Sequence, residues 1–265
     1  MSAAATTPVT PTKAGDRSAS AAPAGKSLDA RYADLMRRHF DAPERLVQDW
    51  LLYVKRHHQL SRLLHHYEIF RMIRDVPGSI AELGVFRGET LLLWAKFLEI
   101  FCMGDRTRTV YGFDHFEGLK DLTPEDGPEN AAMFEGAYDP RHDTQQLLEL
   151  IALFDEDRFA PGKPRIRLVD GDVVSTLPHW AQQNPGVRLS LLHLDLDLYE
   201  PTKVALEVLY PRVVPGGVVV FDEFGFENFP GESRAFEDVF GADAPRLRKF
   251  DWFGNPGAYF VKGRP

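Results

Sequence analysis

Five short apolar runs in this chain each finish in acid. SIAELGV (79–85) carries Glu82, TVYGFDH (109–115) reaches Asp114, and RIRLVDG (165–171) reaches Asp170 with Asp172 just beyond. LSLLHLD (189–195) ends at Asp195 with Asp197 two residues on, and GGVVVFDE (216–223) ends in Asp222-Glu223. Carboxylates converging from adjacent strands repel, so one takes a proton or a cation settles among them. Oxygen donors with no cysteine cluster point to Mg²⁺ or a similar hard divalent ion. Asp195, Asp222 and Glu223 are the expected metal ligands. Asp195 and Asp197 project to one side if the strand stays extended through both, which leaves Asp197 facing a substrate hydroxyl. The plainer account makes some of these acids N-caps of the helices that follow.

AELGVFRGET (81–90) reads as a strand-to-helix turn flanked by Gly84 and Gly88, with Glu82 before it and Arg87 within it. Glycine lets the backbone approach a ligand and take positive φ. Phe86 stands where a dinucleotide fingerprint needs its middle glycine, which lowers a nicotinamide reading. Asp114 follows after one βαβ spacing, the place where an acid accepts ribose hydroxyls; the alternative is a turn cap. Asp172 lies either beside an adenine ring or at a helix N-cap, and the two readings stand even. His193 is expected to be a buried structural histidine. The pairs His57-His58 and His65-His66 lack the i, i+4 spacing of a helical metal pair and are expected on a solvated face.

These residues need strands that end side by side. The five runs alternate with helical stretches near 88–103, 143–155, 173–183, 201–212 and 232–240, which predicts βαβ units and a parallel, doubly wound sheet. LRKFDWFGNPGAYFVKG (247–263) predicts two further strands joined through Gly254–Gly257. The expectation is a Rossmann-like, mostly parallel seven-stranded α/β sheet with an antiparallel C-terminal hairpin. Residues 118–142 follow a strand end as a polar loop, with Met133, Phe134 and Tyr138 as apolar teeth of a lid. Apolar residues at three-to-four spacing make 29–76 a helical extension, and the Ala/Ser/Pro-rich stretch 1–28 reads as a disordered tail. Residues 77–265 form the main domain.

The formal charge of −8 on 265 residues argues against nucleic acid as a partner. No apolar run is long enough to span a membrane, and residues 1–28 lack the apolar centre of a secretory signal. A cytoplasmic location is the expectation. The single cysteine, Cys102, excludes an internal disulfide and is expected as a small helix-core hydrophobe. The N-terminal helices are expected either to cover the site or to build a homo-oligomer.

LLHLDLDLYEPTKVALEVLYPRVVPGGVVVFDEFG (191–225), followed by FPGESRAFEDVF (229–240), resembles the macrocin O-methyltransferase (TylF/MycF) family. AELGVFRGET resembles its S-adenosylmethionine turn and VYGFDHFEGL its ribose strand. The likeness covers roughly residues 60–260 and implies a class I methyltransferase fold. It implies Mg²⁺-dependent transfer of a methyl group from S-adenosylmethionine to a small-molecule hydroxyl acceptor, a sugar of a glycosylated natural product or surface glycan. It matches Asp195, Asp222 and Glu223 to metal ligands and Asp197 to a general base. Glu82, Gly84 and Asp114 match cofactor-binding positions, to which Arg87, Gly88 and Asp172 are added from the turn and the third strand. Two departures stand out: Glu223 where the family commonly carries Asp, and Glu89 where it often carries a second glycine. A catechol-type O-methyltransferase and a non-catalytic nucleoside-binding module are the alternatives.

Overall fold

A strand buried on both faces must be apolar at nearly every position; of five parallel segments the inner ones approach that demand, while the one at the sheet edge keeps Arg167 and Asp170 exposed. In the computed structural model the five are β1 (Ser79–Leu83), β2 (Val110–Asp114), β3 (Ile166–Asp170), β4 (Leu189–Leu194) and β5 (Val213–Phe221). The model describes residues 59–263 except 142, 161 and 253, together with residues 27, 30, 33, 34, 37 and 51. The chain divides into two units, 1–54 and 55–265. In the first, Arg37 pairs with Asp34 at 2.6 Å. The expected tail 1–28, apart from residue 27, and most of 29–58, including His57-His58, lie outside the described residues.

Helices alternate with the strands: α1 (Ser61–Ile73), α2 (Glu89–Phe101), α3 (Thr144–Asp157), α4 (Val173–Gln183), α5 (Tyr199–Leu209) and α6 (Gly231–Phe240). The strand order is β3-β2-β1-β4-β5-β6, with β6 (Ala258–Val261) antiparallel to β5. Alternate side chains divide the core. Ile80, Leu191, Val218 and Val220 pack with Ile69, Phe70, Trp94 and Leu98 on one face. Ala81, Leu83, Leu192 and Phe221 pack with Leu177, Trp180, Leu206 and Phe236 on the other.

The sheet has six strands, not seven. The first arm of the expected hairpin makes one isolated bridge, Arg248 with Tyr259. The next rung would need Gly257, but its N–H donates to the Asp222 carbonyl at 2.7 Å, and a Cβ there would meet the Phe224 carbonyl at 2.3 Å. The end of β5 therefore holds the backbone that a seventh strand would have used. Cys102 is the C-cap of α2, partly buried against the core rather than inside the helix.

Candidate active site

The strand order reverses between β1 and β4, and ligands of open α/β sheets bind at such a switch point, outside the carboxyl ends. The two strand ends are tied closely here. The Asp195 N–H donates to the Leu83 carbonyl at 2.9 Å. Gly84 takes φ 85°, and a Cβ built on it would lie 1.6 Å from the Asp195 carbonyl oxygen. Only glycine allows that approach. A cleft of about 850 Å³ runs along the sheet edge, from Asp170–Val174 past Asp114 and Gly84 to Asp195, Asp197, Asp222 and Glu223.

On the β1–β3 side the acids serve their own backbone. Asp114 accepts from the Val85 and Phe86 N–H groups through Oδ2 at 2.7 and 2.8 Å, and from the Phe116 N–H through Oδ1 at 2.7 Å. It thereby fixes the glycine turn from the neighbouring strand. Asp172 caps α4, accepting from Val174 N at 3.0 Å and Ser175 N at 3.2 Å. Both carboxylates still line the cleft, as Gly84 does. Gly88, at φ 81°, faces Leu147, and exposed Arg87 pairs with Asp143 at 2.9 Å; neither lines the cleft. Glu82 is buried beneath it, its Oε2 3.4 Å from His193 Nδ1.

The β4–β5 side is built differently. Strand β4 stops at Leu194, and Asp197 takes φ 62°, so the extended conformation does not run through both aspartates. Even so, ligand atoms of Asp195, Asp197 and Glu223 lie within 4.8 Å of one another. Asp222 points elsewhere and forms a second, fully buried group with His66 and His193. Its Oδ1 is 3.5 Å from His193 Nε2, and its Oδ2 accepts from Arg62 Nη1 at 3.0 Å. Arg62 Nη2 reaches Asp195 Oδ2 at 3.1 Å, and Nη1 also donates to Asn255 Oδ1. Glu232, in the first turn of α6, is fully buried and accepts the Glu223 N–H at 3.0 Å.

Arg62 and Glu232 are the site residues that sequence reasoning missed. The legible signal for Arg62 was its place on the stripe of His66, Ile69 and Ile73, where every other residue is buried. The same stripe corrects the reading of His65-His66 as a solvated pair. Both are 1% exposed, because they fill the space between α1 and the aromatic rings of Phe250, Trp94 and His193.

The cluster carries a surplus of acid. Among the described residues, Glu82, Asp195, Asp197, Asp222, Glu223 and Glu232 face two cationic groups, Arg62 and His193. Burial opposes charge on His193, but the Asp222 and Glu82 carboxylates outweigh it and raise its pKa to about 10. Burial also opposes ionisation of Asp222, yet Arg62 and His193 hold it well below the ordinary carboxylate range. On the other acids burial wins, even at Asp195, which Arg62 reaches at 3.1 Å. Burial pushes Asp197 up to about 6. Burial and the Asp222 charge push Asp195, Glu223 and Glu232 well above their usual range. Glu223 Oε2 is buried with no hydrogen-bond partner. Converging hard oxygens with unspent negative charge fit a divalent cation such as Mg²⁺.

The loop after β2 is pinned rather than free. Buried Asp126 accepts from the Tyr199 N–H at 2.6 Å and from Thr123 N and Oγ1 at 2.7 and 2.8 Å. Met133 is buried against Leu198 and Phe229, so it anchors the loop. Tyr138 lines the cleft, while Phe134 is exposed outside it.

The family model of the macrocin-O-methyltransferases (TylF) matches residues 27–260. The chain belongs to this family. It is accordingly an O-methyltransferase. A curated relative, the 8-demethyl-8-(2,3-dimethoxy-α-L-rhamnosyl)-tetracenomycin-C 4'-O-methyltransferase of Streptomyces olivaceus, is 33% identical over 77% of this chain and 76% of its own. The mycinamicin III 3''-O-methyltransferase of Micromonospora griseorubida is 32% identical over 63% of this chain and 62% of its own. Among solved structures, the calicheamicin methyltransferase CalS11 superposes with a TM-score of 0.81 at 31% identity, covering 92% of this chain and all of that one. An apo structure of CalS11, described as a TDP-rhamnose 3'-O-methyltransferase, has a TM-score of 0.73 at 32% identity, covering 91% of this chain and 97% of that one. The Rossmann-like fold and the O-methyltransferase assignment of this macrocin-O-methyltransferase family member thus agree with the architecture above. No helix among the described residues is long and apolar enough to cross a membrane.

Proposed function

We propose that this family member moves a methyl group from S-adenosylmethionine to a sugar hydroxyl of a glycosylated natural product or surface glycan, with Mg²⁺ or a similar divalent ion at the acid cluster. The observation that carries this reading is the division of one cleft. Gly84, Asp114 and Asp172 line one part, and the converging carboxylates of Asp195, Asp197 and Glu223 line the other. The names of its relatives support a sugar acceptor, since they act on a rhamnosyl 4'-hydroxyl and on TDP-rhamnose.

At the first part, a carboxylate offers about four lone-pair positions. Asp114 commits three to backbone N–H groups, which leaves room for a ribose hydroxyl. Asp172 presents its capping carboxylate beside the base. Glu82, Arg87 and Gly88 act from outside the cleft, through the shape of the turn. At the second part, Asp195 and Glu223, facing the cleft, and Asp222, from the adjoining group with His66 and His193, would hold the metal. A bound divalent ion supplies Lewis acidity, lowering the pKa of a nearby hydroxyl. Asp197, close to neutrality in pKa, accepts the hydroxyl proton as the oxygen bonds to the methyl carbon and the carbon–sulfur bond of the sulfonium breaks. A base poised near the working pH suits that transfer. Tyr138 lines the cleft wall.

Mass spectrometry for gain of one methyl group across a panel of glycosides, nucleotide sugars and catechols, with Mg²⁺ and with chelator, tests this reading. Methylation of sugar-bearing acceptors that stops on chelation is expected. Turnover confined to catechols would transfer the assignment to an aromatic diol. Activity that survives both chelation and Asp195→Ala would remove the metal.

A further inference from the structure

Arg62 occupies two of the carboxylates that the metal reading assigns to the ion. Its Nη2 lies 3.1 Å from Asp195 Oδ2 and its Nη1 3.0 Å from Asp222 Oδ2, and Asn255 receives a third bond from the same guanidinium. We propose that Arg62 is a built-in competitor of the divalent cation, holding the acid edge closed in its absence and giving way when it binds. The inference rests on the metal reading above.

Two observations carry it. First, Arg62 holds one oxygen of each aspartate, Oδ2 in both, and a guanidinium and a divalent ion on the same two carboxylates repel each other strongly even in a polarisable site. Second, the site keeps ligand capacity that Arg62 does not reach: Glu223 Oε2 is buried and unpartnered, and Glu223 clusters with Asp195 and Asp197. An ion entering from the cleft meets Asp197 and Glu223 free of the guanidinium, then contests Asp195. Arg62 stands in the first turn of α1 with 28% of its side chain accessible. Its long stem therefore has an outward path, whereas Asp222, 2% exposed, does not. The arginine is thus the movable member of the pair. In the metal-free protein it also shares with His193 the neutralisation of Asp222, which is 2% exposed.

The test is metal affinity measured directly, by calorimetry and by the Mn²⁺ paramagnetic resonance signal, on the wild type and on Arg62→Met, with folding checked by circular dichroism. Arg62→Met is expected to bind Mn²⁺ at least ~10-fold more tightly, and to show a larger rise in melting temperature on adding Mg²⁺. Arg62→Gln, which keeps an amide donor for Asp222 but loses the charge, is expected to move the same way and serves if the methionine variant does not fold. Unchanged or weaker binding in these variants, with the wild type binding normally, overturns the competitor role and makes Arg62 a positioning residue that supports the metal. Absence of binding in wild type and variants alike overturns the metal reading as well.

Discussion

The two halves of the sheet edge carry the same residue types in opposite conditions. At the β1–β3 ends, Asp114 and Asp172 are surrounded by N–H groups of the turn and helix that follow them. At the β4–β5 ends, Asp195, Asp197 and Glu223 look toward one another, and Asp222 beside them turns to His66 and His193. Their cations come from α1, far away in sequence, and from His193 below. An aspartate at a strand end is therefore two different objects. Where backbone donors saturate it, it builds the turn and offers what capacity remains. Where they do not, it stores negative charge that a ligand must complete. The first kind contributes stability, and the second gives up stability for chemistry.

That contrast can be broken by substitution, and the largest effect should fall on the unsaturated side. Asp197→Asn should lower the rate of methyl transfer by about 10²–10⁴-fold with no loss of thermal stability; initial rates by mass spectrometry and a melting curve check both halves of the statement. Asp114→Ala should do the reverse in part, costing about 2–3 kcal/mol because it strands three N–H groups. Urea unfolding should show that loss equally with and without Mg²⁺.

Beneath the unsaturated half, His65 sharpens the comparison through pH. Burial lowers its pKa from 6.5 to about 4. The unfolded chain thus takes up a proton that the native state refuses. The stability associated with neutral His65 is complete above pH 6.5 and is lost as pH falls toward 4. Between pH 7 and 4 the wild type should lose about 2–3 kcal/mol more than His65→Gln, read from urea midpoints at each pH.

Smaller effects belong to the saturated half. Asp172→Ala should cost about 1 kcal/mol as a lost N-cap, while Asp172→Ser keeps the cap. A KM for S-adenosylmethionine that rises in the serine variant too would show the carboxylate serving the nucleoside as well as the helix. Arg87→Ala breaks an exposed pair with Asp143 and should change unfolding free energy by no more than about 0.5 kcal/mol.

Much of this was legible in the sequence, and the limits are physical. The five parallel strands and the helices between them announce themselves because hydrophobic period and β-branched content change at each boundary. The acid at every strand end was likewise visible, since position after an apolar run is a local property. Which acids would be saturated was not. Two of the three donors to Asp114 lie 28 and 29 residues away across a neighbouring strand, and Arg62 meets its aspartates across 133 and 160 residues. The seventh strand failed for a related reason: whether Gly257 offers its N–H to another strand depends on Asp222, which no local pattern reveals. His65-His66 was misread because a test for metal spacing took the place of a test for the apolar stripe on which the pair sits.

Gly84 and Asp195 have a consequence for how this protein can change. A single missing Cβ lets the nucleoside-side turn rest on the Asp195 carbonyl. Any side chain at position 84 would push that carbonyl, and the carboxylate attached to the same residue, out of place. The two halves of the cleft consequently cannot diversify independently. New acceptors are expected to be accommodated by the walls, such as the loop around Tyr138 and the start of α6, while positions 84 and 195 drift only together or not at all. A library randomised at both positions should return functional pairs far more rarely than the product of the two single-site tolerances.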